Sequence, residues 1–126
     1  MKKIINTKNA PAPIGPYNQA ILSGNTLYTS GQIALHPTTG KLVNSSIEAE
    51  TMQVMENIAA VLCEAGMTFE NVVKTSIFIS NMNDFAKINT IYANYFNAET
   101  APARETVEVS NLPKFVNIEI SIIAVK

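Results

Sequence analysis

The chain has 126 residues, 47% of them apolar and 15% charged, with a net charge of −1. That length fits a single domain over residues 1–126, able to bury about two-thirds of its unfolded surface in a core that needs no staple. A lone cysteine excludes an internal disulfide framework, one cysteine and one histidine are too few for a structural zinc site, and no basic run exceeds Lys2-Lys3, so there is no nucleic-acid footprint.

No apolar run approaches the roughly 20 residues of a membrane span, and Lys2-Lys3 is followed only by Ile4-Ile5, far short of a signal peptide. The expectation is a cytoplasmic chain without a membrane partner. So few charges to solvate a whole surface favour an oligomer, and a small uncharged or anionic metabolite is the easier partner.

Residues 2–6 suit a short edge strand. Pro11, Pro13 and Pro16 around Gly15 stiffen an extended segment that delivers Tyr17 to a defined place. A half-buried tyrosine at a strand start is the plainer reading of that residue. Gln19–Ser23 and Thr26–Ser30 flank Gly24-Asn25, a two-residue hairpin signal, and Gly31 then permits close approach of a strand or a ligand. His36 opens a surface turn with no acid or nucleophile near it in sequence.

Ser45 and Glu48 read as a capping box and Gly66 as a helix stop. Between them Ile47, Met55, Ile58, Leu62 and Ala65 recur at helical spacing, with Cys63 expected beside that stripe as a small buried hydrophobe. Val72–Ser80 is rich in β-branched residues and reads as a strand. A second helix is predicted from Asn83-Asp84 to about Phe96, burying Phe85, Ile88, Tyr92 and Phe96. Asn89 falls off that stripe, as surface or site, and Asn97 is expected to close the helix in the left-handed conformation.

Two alternating strands follow, around Asn111-Leu112-Pro113-Lys114. In the first, Val107 and Val109 oppose Arg104, Thr106 and Glu108. In the second, Val116, Ile118, Ile120 and Ile122 oppose Glu119, Ser121, Ile123 and Val125. An antiparallel hairpin would set Arg104 and Glu119 side by side on the non-core face. That pair is either a solvated cross-strand ion pair worth under about 1 kcal/mol, or part of a site in an apolar-edged subunit interface. The whole is an α+β domain, one β-sheet with two helices packed on one face and nothing in the chain to cover the other.

His36 is too poorly supported for a nucleophilic triad, and there is neither a phosphate-binding glycine loop nor a metal cluster. Carboxylate acid/base chemistry with cationic orientation remains. Arg104 can grip a substrate carboxylate through two parallel N–H bonds, and Glu119 can take a proton from water or return one to a leaving group.

Gly15-Pro16-Tyr17, Thr29-Ser30-Gly31-Gln32, Asn83-Asp84-Phe85, Pro102-Ala103-Arg104 and Leu112-Pro113 through Ile118-Glu119-Ile120 together resemble the reactive intermediate deaminase (RidA, formerly YjgF) family, nearly end to end. The resemblance implies a chorismate-mutase-like (YjgF-like) α+β domain in a homotrimer, with sheets facing one another and three sites at the subunit interfaces. It implies a 2-iminobutanoate/2-iminopropanoate deaminase, hydrolysing enamine and imine intermediates such as 2-aminoacrylate to 2-keto acids and ammonia without metal or cofactor. By position, Arg104 would hold the substrate carboxylate and Glu119 would position or activate the water. Tyr17, Ser30, Gly31 and Asn89 would line the pocket. Thr106 joins the substrate-binding set where a cysteine often stands in the family, Ser121 replaces a frequent second acid, and Glu105 is unusually acidic. Two alternatives stay open: a non-catalytic keto- or amino-acid-binding regulatory protein, and the endoribonuclease or translation-inhibitor activity described for some members.

Overall fold

In the structure, a computed structural model describing all residues from Met1 to Lys126, the chain runs β1 (Lys2–Ile5), β2 (Ala20–Ser23), β3 (Thr26–Thr29), α1 (Ile47–Glu64), β4 (Val72–Ile79), α2 (Phe85–Tyr92), β5 (Ala103–Glu108) and β6 (Ile118–Val125). The strands form one mixed sheet in the order β1-β2-β3-β6-β4-β5. Gly24, at φ +59° in the first central position of the β2–β3 turn, closes that hairpin with Ser23 opposite Thr26. No helix is long and apolar enough to cross a membrane.

Alternation along β6 sorts the two faces of the sheet. Ile118, Ile120, Ile122 and Ala124 are fully buried with Val54, Ile58, Val61 and Leu62 of α1 and Ile88 of α2. Their alternates Glu119, Ser121, Ile123 and Val125 lie on the far face, which also carries the half-exposed Tyr28 opposite Ile123. The helices therefore cover one face, as the apolar periods require. A second cluster of Ile33, Leu35, Leu112 and Val116, backed by Phe78 and Val109, closes the end from which β6 starts.

α1 begins one residue later than the expected capping box. Ser46 is the N-cap and accepts from the Ala49 N–H at 3.0 Å, leaving Glu48 in the first turn to complement the helix dipole. Gly66 ends the helix at φ +71°, with the Gly66 and Met67 N–H groups donating to the Cys63 and Leu62 carbonyls, both at 2.9 Å. Cys63 is exposed, not buried, because one residue beyond Leu62 is a 100° turn away from the core. α2 is shorter than predicted and follows a 3₁₀ turn at Met82–Asp84. Ile88 and Tyr92 are buried, whereas Phe85 is exposed and Phe96 lies beyond the helix end. Asn97 keeps a negative φ and accepts from the Glu99 N–H at 3.0 Å, capping a local turn in place of the helix.

The largest departure is the expected C-terminal hairpin. β5 pairs in parallel with β4, with Thr75 opposite Arg104 and Ile77 opposite Thr106, and β4 stands between β5 and β6. The cause is the α2 crossover, which returns the chain to the start of β4 so that β5 must run alongside it in the same direction. Residues 109–117 then cross the end of β4, where the Ser80 N–H donates to the Asn117 carbonyl at 3.0 Å, and β6 descends on the other side.

Glu50 fixes that crossing. This helical carboxylate is buried at 1% exposure and accepts from the Asn117 N–H at 2.7 Å, from Asn117 Nδ2 at 2.8 Å and from the Ile118 N–H at 3.2 Å. Three donors on this one side chain compensate its burial and pin the first residue of β6.

Candidate functional site

One cleft forms where the proline segment meets β6. Gln19, buried beneath the proline segment, accepts from the Thr7 N–H at 2.7 Å, and its Nε2 donates to the carbonyls of Thr7, Ala10 and Pro11. The proline path is thereby tied down, and Tyr17 curls back to accept from the Ile14 N–H at 3.2 Å. Between Tyr28–Ile123 and Gln32–Ile120 the β3 side carries one extra residue, a bulge. The Thr29 hydroxyl fills the gap in the ladder by accepting from the Ile122 N–H at 2.9 Å, and Ser30 Oγ donates to the Asn18 carbonyl at 2.6 Å.

The bulge lays Gly31 against Glu119. A Cβ at Gly31 would stand 2.5 Å from Glu119 Cδ and 2.7 Å from Oε2, so this position has no room for a side chain while the carboxylate stays in place. Ile14, Tyr17, Ser30, Gly31, Pro113 and Glu119 line the resulting cleft of about 340 Å³. Burial pushes the Glu119 carboxyl above its ordinary value, which keeps it closer to accepting and returning protons at neutral pH. Beyond Pro113, Lys114 and Phe115 are both left-handed, at φ 55° and 54°, a strained pair on the rim.

Arg104 is elsewhere. The β5 register sends Arg104 and Thr106 to the helical face beside Thr75 and Ile77, whereas Phe78 opposite Glu119 puts that carboxylate on the open face. The side-by-side Arg104–Glu119 pair therefore does not exist within one chain. The ion pair of the open face is instead Lys74–Glu105 at 2.9 Å, where a hydrogen bond from Ser76 and then Lys74 hold the Glu105 carboxyl below its ordinary value.

Around Arg104 a second half-site is built. Its Nη1 donates to Asn89 Oδ1 at 2.7 Å, and the guanidinium lies 5.0 Å from the Tyr92 ring centroid and 5.6 Å from that of Phe85. Tyr92 shares a hydrogen bond of 2.9 Å with Thr75, and burial raises its phenol pKa, so the ring under the cation stays neutral. Arg104 is held by one nitrogen and two ring faces while its remaining donors face outward. Beside it the Thr106 hydroxyl is buried without a partner, a polar atom worth about 1–3 kcal/mol to a group that bonds it.

Of the residues read from the sequence, Tyr17, Ser30, Gly31 and Glu119 thus meet in one place, and Asn89, Arg104 and Thr106 in another. His36 belongs to neither, its Nδ1 accepting from the Thr38 and Thr39 N–H groups within its own turn. Ile14, Pro113, Phe85 and the supporting Gln19 and Glu50 were missed. Glu50 left a signal, an acid in phase with the apolar stripe of Ile47, Val54 and Ile58. The first half-site can move protons but lacks a carboxylate grip. The second can grip a carboxylate but has no acid or base.

The endoribonuclease L-PSP family model matches residues 7–126. A RutC family protein of Pyrococcus horikoshii is 53% identical over 126 residues, covering 100% of this chain and 99% of that one. A mouse protein named 2-iminobutanoate/2-iminopropanoate deaminase is 43% identical over 126 residues, covering 100% of this chain and 93% of its own length. A Rid family protein of unknown function from Yersinia pestis superposes with a TM-score of 0.96 at 53% identity, with both chains fully covered. The fold, the length of the match and these identities place the chain in the RidA (YjgF/RutC, L-PSP) family.

Proposed function

We propose that this protein is a homotrimeric hydrolase that converts small 2-imino and enamine acids to 2-keto acids and ammonia, with each site built by two chains. The observation that carries the reading is the split itself: Arg104 and Glu119 leave opposite faces of one sheet, and each half-site lacks what the other has. The open face, with Tyr28, Ile123 and Val125 half-covered or exposed, is the surface that a neighbouring copy would bury. The name of the mouse relative supports the same chemistry.

In that assembly Arg104 of one chain takes the substrate carboxylate in a two-bond grip, its free nitrogens doing what Nη1 does for Asn89. Glu119 of the next chain holds water against the imine carbon. Water adds to the carbon of the protonated imine (C=NH2+) as Glu119 accepts one of its protons, which gives the neutral tetrahedral carbinolamine. Glu119 then returns that proton to the nitrogen and takes the hydroxyl proton as the C–N bond breaks, so that ammonia leaves and the C=O of the keto acid forms. An enamine first takes a proton on its β-carbon and then follows the same course. The raised proton affinity of Glu119 suits both directions of transfer. No cofactor or metal takes part in this scheme.

The test is subunit mixing. Arg104→Ala and Glu119→Gln should each be inactive alone. Unfolded together and refolded at equal amounts, they should recover about one working site in four, because an intact Arg104 then meets an intact Glu119 across some interfaces. No recovery above either parent would mean that the two residues do not share a site. A mixture that recovers 2-keto acid binding but never releases ammonia would mark a binding protein instead.

A further inference from the structure

A second cavity, of about 480 Å³, opens on the helical side between the end of α2 and the turn before β4, and shares no residue with the Glu119 cleft. Phe69, Tyr95 and Phe96 form half of its lining, and Glu70, Asn97 and Thr100 form the rest. Phe69 meets Tyr95 at 58° with centroids 5.3 Å apart, and Phe96 at 83° and 5.2 Å, while Tyr92 backs Phe96 at 4.8 Å. Rings set at such angles wall a corner and do not stack flat.

The polar part of the corner is acceptor-rich. It holds the exposed Glu70 carboxylate and no lysine or arginine. Tyr95 donates its hydroxyl hydrogen to Glu56 Oε2 at 2.8 Å, and burial with that bond pushes its pKa up to about 12, so the phenol stays a donor to the carboxylate at all ordinary pH. A phenol leaning on a carboxylate is richer in π-electron density than a free one, and a negative charge stands directly behind it. A neutral apolar guest would use the rings and waste Glu70. An anion would be repelled by both Glu70 and Glu56. A metal ion would need several gathered ligands, and no group of three or more His, Cys, Asp or Glu side chains is brought together.

The geometry points to a second binding site, formed by Phe69, Tyr95, Phe96 and Glu70, for a small organic ammonium ion. Its recognition combines cation–π attraction with one carboxylate, and it is independent of the proposed imine chemistry. The experiment titrates the intact protein with choline, and separately with 3,3-dimethylbutan-1-ol, the uncharged isostere, at constant ionic strength. Aromatic carbon–proton NMR signals of Phe69, Tyr95 and Phe96 are followed. Choline should shift them saturably and bind at least about five-fold more tightly than the alcohol. Glu70→Gln, a surface change that leaves the fold intact, should weaken choline about three-fold and leave the alcohol unaffected. Equal affinity for both probes would make this a plain apolar hollow and overturn the proposal. So would the absence of saturable shifts, or shifts confined to Tyr17 in the other cleft.

Discussion

Gly31→Ala is the sharpest probe of the cleft. The new methyl would stand 2.5 Å from Glu119 Cδ, 2.7 Å from Oε2 and 2.8 Å from Cγ, whereas ordinary contact begins at 3.4 Å. The carboxyl end of a flexible side chain must therefore retreat by about 0.9 Å, and a misplacement of that order at the reacting centre costs up to about 100-fold in rate. Stability should hardly change. The φ of Gly31 is not in the left-handed region, so alanine gains roughly 0.4–1 kcal/mol by restricting the unfolded chain, against about 0.5–1.5 kcal/mol for pushing Glu119 off its rotamer. Ammonia and 2-keto acid release from an enzymatically generated imine, read against the buffer rate, should show kcat down by about 30- to 100-fold. KM should stay nearly constant, because the grip proposed for Arg104 is untouched, and the melting curve should overlie that of the native protein. Native kcat in a folded Gly31→Ala variant would refute the role given to the Glu119 carboxylate in this position.

Further outcomes follow from single groups. Glu50→Ala strands two backbone N–H groups and an amide behind α1, and urea unfolding should show a loss of about 3 kcal/mol or more; a loss below 1 would mean the crossing is held by something else. Glu119→Gln should separate two pH regimes. With its folded pKa raised by burial, native Glu119 adds nothing adverse below the ordinary carboxylate pKa, where it is protonated in both states, and becomes a liability as pH rises through the folded pKa. The variant should therefore match the native protein near pH 4 and exceed it in denaturation midpoint at neutral pH, and a variant less stable at both would reverse the sign. Ile123→Asp replaces an apolar side chain of the open face with a charge and should give monomers by sedimentation, inactive but with helical circular dichroism retained. Full activity in such a monomer would defeat the shared-site reading.

Much of the fold was legible because local patterns had one solution. Gly24-Asn25 can only turn tightly, Gly66 can only stop a helix cheaply, and four alternate apolar positions in β6 leave no doubt about its inner face. The cleft was legible only through the family resemblance, which named Tyr17, Ser30, Gly31 and Glu119 together; the bulge that lays Gly31 against Glu119 left no local mark. Arg104 was misplaced because β5, Ala103–Glu108, carries a charge on both faces, Glu105 on one and Arg104 and Glu108 on the other. Its orientation is imposed by register with β4, a long-range fact that a period of two cannot choose. The same blindness hid Phe85 and Tyr92 as the bed of the guanidinium, because each looked like one more member of a helical stripe. Gln19 was hidden for another reason: nothing in an isolated amide says that three carbonyls will converge on it.

The position of β6 has a consequence for how the molecule comes into being. It is the last strand to be synthesised, yet it lies at the middle of the sheet and is the only link between the β1-β2-β3 ladder and the β4-β5 pair. The hydrogen bond from the Ile122 N–H to Thr29 Oγ1 closes a separation of 93 residues. Until that closure, two half-sheets carry unpaired edges, and the inner faces of both helices have no isoleucine ladder to cover. Collapse of the nascent chain must wait on its final segment, so folding is governed by a slow, non-local search, and the interval before β6 docks is when the chain is most exposed to aggregation.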